Sequence, residues 1–70
     1  MSKRTEIIPR APIGRIMLNS GAKRVSAQAM NTLSDILTDI GEEISERAVR
    51  IAKHSGRKTV KGSDIKIASK

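Results

Sequence analysis

The stretch Val25–Gly56 reads VSAQAMNTLSDILTDIGEEISERAVRIAKHSG, and its periodicity decides the fold. Apolar residues recur at Ala29/Met30, Leu33, Ile36/Leu37, Ile40, Ile44, Ala48 and Ile51/Ala52. Steps of three and four keep one stripe of a helix apolar for about seven turns. Ser26 is a good N-cap, since its hydroxyl can accept a first-turn amide that has no carbonyl partner. Gly56 supplies a left-handed stop after a last turn holding Arg50, Lys53 and His54, whose charge suits the negative end of the helix dipole. Gly41, inside the helix, costs about 1 kcal/mol relative to Ala; it is either tolerated or marks the close approach of another helix. About 29 residues at 1.5 Å each span roughly 43 Å. A compact monomer of 70 residues should be only about 28 Å across. Two copies crossing near their centres, with the short elements folded over each end, solve the mismatch. The geometry predicts an obligate dimer.

Outward from this helix the chain is short on both sides. Residues 1–10 read as a basic, partly disordered arm. Pro12 suits a first helical position, so a helix opens at Ala11–Pro12. It carries Ile13, Ile16 and Met17 and ends near Ser20, with Gly21 as its stop. After Gly56 comes Arg57-Lys58-Thr59-Val60, β-prone at its end. A last helix starts near Lys61 or Gly62, with Ile65, Ile67 and Ala68 apolar. The fold class is all-α: short helix, long central helix, short helix, in one domain over residues 11–70.

Composition narrows the function. With no Cys and one His, disulfides and Cys-ligated zinc are excluded, and neither a metal nor a cofactor is expected. No paired carboxylates, nucleophile constellation or phosphate-cradling glycine loop points to an enzyme. No run is apolar enough to span a bilayer, and a membrane-surface helix would want Trp or Phe, which the chain lacks. A cytoplasmic protein is expected. The formal charge of +7 points to a polyanion. The missing aromatics disfavour modules that stack single-stranded bases, leaving double-stranded DNA gripped by its backbone. Charge is also blocked along the chain. Residues 1–24 hold six basic side chains against Glu6, residues 35–46 hold five carboxylates, and residues 47–70 hold eight basic side chains against Asp64. Either this is a solvated acidic face with basic ends, or the basic ends converge into one anion-binding surface.

Two segments go beyond generic helix: Ala11-Pro12-Ile13-Gly14-Arg15-Ile16 with Gly21-Ala22-Lys23-Arg24-Val25-Ser26, and Ala52-Lys53-His54-Ser55-Gly56-Arg57-Lys58-Thr59-Val60-Lys61 with Asp64-Ile65. Together they resemble the archaeal histones, over about residues 8–69. The resemblance implies a histone fold, an intertwined handshake homodimer or a heterodimer with a paralogue, and nucleoid-associated compaction of duplex DNA with little sequence preference. In that arrangement Arg24 sits beside Thr59 of the other copy and enters the minor groove, as histone arginines do without reading bases. Arg15 faces the backbone at the dimer centre, Lys58 and Lys61 meet phosphates, and Val25, Ser26, Thr59 and Val60 contribute backbone amides. The resemblance further implies that Ile51, His54, Asp64 and Ile67 form a contact through which dimers stack along DNA. Arg57 is expected to pair with Asp64 of its own chain. Lys66 stands at a position that is frequently acidic in the family, which counts against stable stacking.

A different class of function is a histone-fold interaction subunit of a larger transcription or regulatory complex, with incidental charge. Absence of DNA binding at moderate salt would favour it. A helix-turn-helix regulator fits the length and charge, but not a central helix this long.

Overall fold

The computed structural model describes residues 8–70; the basic arm residues Lys3 and Arg4, and the partial disorder expected there, lie outside them. Three helices follow in order: α1 (Arg10–Asn19), α2 (Ala27–His54) and α3 (Gly62–Ala68). Among the described residues there is no strand, and Thr59-Val60, β-prone by composition, lies in an irregular loop. The described residues form two compact units, divided between Thr38 and Asp39.

In the first unit, α1 begins at Arg10, earlier than Ala11–Pro12, with Pro9 as an extended N-cap at φ −60° and ψ 150°. Pro12 therefore occupies the third helical position. No bond is lost there, because the first four amides of a helix have no carbonyl to reach. Before α1, the Ser34 hydroxyl on α2 donates to the Ile8 carbonyl at 3.0 Å. Thr38 Oγ1 in turn donates to the Ser34 carbonyl at 2.8 Å. Both hydroxyls are buried, and each is satisfied, as a buried polar group must be if it is not to cost stability. Ile13 is the large aliphatic buried in this unit, at 1% exposure. Gly14 beside it packs against the Met30 side chain of α2. A Cβ there would stand 2.9 Å from the Met30 sulfur.

Helix α1 ends in a Schellman motif. The Ala22 amide donates to the Met17 carbonyl and the Gly21 amide to the Leu18 carbonyl, both at 3.1 Å. Gly21 takes φ +114°, a conformation open to glycine and costly for residues with a Cβ.

The second unit repeats the device. The Arg57 amide donates to the Ala52 carbonyl and the Gly56 amide to the Lys53 carbonyl, both at 2.9 Å, and Gly56 has φ +75°. Its apolar core is made of small residues, Ala48 and Ala52 on α2 and Ala68 on α3. Arg47 Nε donates to the Ala68 carbonyl at 3.0 Å, satisfying one of the last carbonyls of α3.

Many large side chains stay outside both cores. In the first unit Ile16 is 52% exposed and Ile36 49%; in the second, Ile40 is 47% and Ile67 61%. Ile36 and Ile40 are one turn apart in α2, on the stripe that also carries Leu33 and Ile44. That stripe is offset from the one bearing Ser34, Ala48 and Ala52, which are buried within their own units. In each unit α2 thus has residues buried by its own chain and, offset from them, large aliphatic residues left exposed.

Candidate nucleic-acid interface

Two loops carry most of the residues expected to meet DNA. In the first unit the Schellman turn at Gly21 leads into Ala22-Lys23-Arg24-Val25. Lys23 and Arg24 are exposed and Val25 is half-buried. Ser26 caps α2, its Oγ accepting from the Ala29 amide at 3.0 Å. That bond takes one of the orphan first-turn amides, while those of Ala27 and Gln28 keep no intrahelical acceptor and point along the axis. An exposed arginine next to a helix N-terminus is a place where a phosphate is favoured twice, by charge and by the dipole. Arg15 lies exposed on α1.

In the second unit the loop after α2 is fixed by a compact polar network. Arg57 grips Asp64 with both terminal nitrogens, Nη1 to Oδ2 at 2.9 Å and Nη2 to Oδ1 at 2.8 Å. The same Nη1 donates to the Thr59 carbonyl at 3.0 Å, so the arginine spans the loop that follows it. Asp64 Oδ2 also accepts the Lys61 amide at 2.8 Å. This is half of a capping box: the third residue of α3 reaches back to the cap amide, while the Lys61 side chain, a donor only, cannot return an acceptor. The Arg57 bond, then the Lys61 amide, holds the Asp64 carboxyl down at about 2 against the opposing effect of burial. The hydrogen bond to Asp64 raises Arg57 above its ordinary value in return. With its inner face committed, the loop presents Lys58, Thr59, Val60 and Lys61 outward, all exposed.

The residues expected to join dimers are divided. Ile51, His54 and Ile67 line a common groove in the second unit, together with Arg47, Arg50 and Lys70. Asp64 does not line it. Its side chain is 2% exposed and engaged by Arg57. Sequence reasoning passes over Arg47, Arg50 and Lys70 as a site. The one signal for them is the basic block after residue 46, which carries no hint that α3 folds back to turn three of those charges around Ile51 and Ile67.

The first unit has an open groove too, floored by Met17, Ala29, Leu33 and Ile36. Among the described residues no helix is long and apolar enough to cross a membrane.

Comparison with known proteins places these features in a family context. The family described as histone-like transcription factor (CBF/NF-Y) and archaeal histone matches residues 7–68. The chain is 41% identical over 63 residues to the archaeal histone HAN1 of Thermococcus zilligii (its A subunit), covering 90% of this chain and 94% of that protein. It is 44% identical over 61 residues to probable archaeal histone 3 of Methanocaldococcus jannaschii, covering 87% and 91%. It is also 37% identical over 60 residues to the DNA-binding protein HmvA of the same organism, covering 86% of this chain and 62% of that longer protein.

Proposed function

The chain belongs to the family of histone-like transcription factors (CBF/NF-Y) and archaeal histones, and from that premise we propose that it binds double-stranded DNA as a dimer, bending and compacting it with little sequence preference. The observation that carries this reading is the pairing of an unused apolar face on α2 with basic loops at both of its ends. Ile36 and Ile40 are each about half exposed in one chain, and fully burying an isoleucine is worth roughly 1.5–3 kcal/mol. A second α2 crossing there would gain that burial in both copies. A head-to-tail crossing sets the Arg24 loop of one copy beside the Thr59 loop of the other, which makes one basic surface from two separate ones.

On that surface each residue has a role. Arg24 enters the minor groove with the Thr59 hydroxyl of the neighbouring copy orienting its guanidinium. Lys58, Lys61 and Arg15 contact phosphates through their charge. The amides around Val25 and Ser26, and those of Thr59 and Val60, donate to phosphate oxygens from the protein backbone. None of these groups reads a base edge, so sequence preference comes only from how easily the duplex bends. The protein acts by binding, not by catalysis, and its place is on the chromosome.

DNA affinity measured against salt, for the wild type and Arg24→Ala, tests this. The wild type should bind unrelated duplexes alike and lose affinity linearly in log salt, because neutralised phosphates release their counterions. Arg24→Ala should weaken binding to all of them. A wild type that fails to bind at moderate salt would instead favour an interaction subunit of a larger complex.

A further inference from the structure

The loop after α2 rests on α3, and α3 has little except polar bonds to hold it. Its seven residues make two turns, too few for a helix to persist by its own hydrogen bonds. Its buried apolar contribution is the methyl group of Ala68, set in a core of Ala48 and Ala52, while Ile65 and Ile67 are exposed. Burying a methyl gains far less than burying an isoleucine. Each end of α3 is fastened by an arginine instead. At its start Arg57 holds the Asp64 carboxyl, which in turn accepts the Lys61 amide. At its finish Arg47 of α2 donates from Nε to the Ala68 carbonyl at 3.0 Å. The last carbonyls of a helix have no amide ahead of them, and a cation there also meets the negative end of the helix dipole.

We propose that Arg47 is a positioning residue for the loop of residues 58–61. By fixing the far end of α3 it keeps Asp64, Arg57 and the Lys61 amide in the geometry that presents this loop to a phosphate backbone. What the loop does rests on the DNA reading; how it is held does not. The lever is short, since Lys61 and Ala68 are about 10 Å apart along a helix rising 1.5 Å per residue. Asp64 accepts its three bonds at 2.8 to 2.9 Å, and such bonds weaken steeply as distance and angle depart from good values. A tilt of α3 released at Ala68 is therefore felt at Lys61, at the opposite end of the helix.

Two measurements on the full-length protein test this. In amide exchange without DNA, Arg47→Ala should speed exchange of the Lys61 amide by up to about tenfold, the scale of losing one hydrogen bond to a charged group. Arg47→Lys keeps the charge and a donor, and should fall between Arg47→Ala and the wild type. If Arg47→Ala does not fold, Arg47→Lys carries both tests. The second measurement is affinity for a duplex short enough to hold one dimer, at a salt concentration that screens distant charge. Arg47→Ala should weaken binding in the wild-type background and lose most of that effect in the double variant Lys58→Ala, Lys61→Ala, because residues acting through one contact are not additive. In Arg24→Ala, which alters the other loop, its effect should remain whole.

A Lys61 amide that exchanges alike in the wild type and Arg47→Ala overturns the proposal, whether or not the protein binds DNA. An Arg47→Lys as impaired as Arg47→Ala overturns it as well, because the bond to Ala68 would then not be the cause. Full additivity with Lys58→Ala, Lys61→Ala also counts against it; joined to a salt slope shallower by about one unit, it would assign Arg47 to a phosphate of its own. A wild type that binds no DNA but shows the exchange effect removes the DNA reading and leaves Arg47 as the residue that sets the loop.

Discussion

Helices α1 and α2 stop by the same device, a positive-φ glycine closing a Schellman motif, yet the loops that follow are held very differently. After Gly56, the Arg57 and Asp64 side chains tie the loop to α3, with the Thr59 carbonyl and the Lys61 amide drawn into the network. After Gly21, the side-chain bond that organises the loop's exit is the Ser26 cap, made to α2 alone. The second loop is therefore preformed within one chain. The first has its ends fixed, and under the dimer reading its middle, Lys23-Arg24, is completed by the neighbouring copy and by DNA. Arg24, proposed to enter the minor groove, thus sits on the less constrained loop, and Thr59, proposed to orient it, on the rigid one. Such a division lets one side adapt to a bending duplex while the other sets the register.

The largest expected effect comes from removing the network that makes the second loop rigid. Asp64→Asn leaves Arg57 without its counter-charge and should cost more thermal stability than any glycine or cap substitution, read by circular dichroism melts. The pH dependence has a defined sign. Asp64 is held at about 2 in the folded chain, below its ordinary value near 3.9 when unfolded. Its contribution is therefore complete above the unfolded value and is lost as pH falls from about 4 toward 2. Asp64→Asn should remove that part of the acid limb. A wild type and variant with parallel stability curves from pH 6 to pH 2 would show that the pair does not hold the loop.

Next come the glycines. Gly21→Ala and Gly56→Ala should each cost about 1–2 kcal/mol, the penalty for placing a Cβ residue at positive φ. Gly21→Ala should cost more, because +114° lies outside the small left-handed region that other residues can enter. Equal melts for the two variants would mean that one stop relaxes to a different turn. A smaller loss, about 1 kcal/mol, is expected for Ser26→Ala, which removes the cap of α2. The smallest effect is local. In amide exchange, the Lys61 amide, bonded to Asp64, should be protected relative to those of Lys23 and Arg24, and Asp64→Ala, which removes the acceptor, should erase the difference.

Much of this is legible along the chain. The apolar steps from Ala29 to Ala52 announce α2, Ser26 and Gly56 mark its ends, and Gly21 marks the end of α1, because caps and stops are local chemistry. The Arg57–Asp64 pair is legible only through the family resemblance. Bonds between residues far apart in sequence, with no periodic signature, stay hidden. Ser34 reaching Ile8 fixes the segment before α1, and Arg47 reaching Ala68 clamps the end of α3. In isolation Ser34 is only a polar interruption on an apolar face, and Arg47 only one more charge in a basic run. The start of α1 is displaced from its expected place for a related reason. Proline favours the first helical position, yet any of the first few positions tolerates it, and the choice among them is made by contacts beyond the helix.

The alanine core of the second unit has a consequence for how the protein can change over time. Ala48, Ala52 and Ala68 leave almost nothing to delete, so truncation, the usual route by which drift erodes a hydrophobic centre, can do little damage there. Enlargement is different: each added methylene must push two closely apposed helices apart, at a cost of typically 1–3 kcal/mol. A saturation scan should therefore find these three sites lopsided, with glycine costing only the helix penalty of about 1 kcal/mol and valine, leucine or anything larger costing more. Variation in this half of the chain is channelled outward, onto the surfaces that meet other molecules.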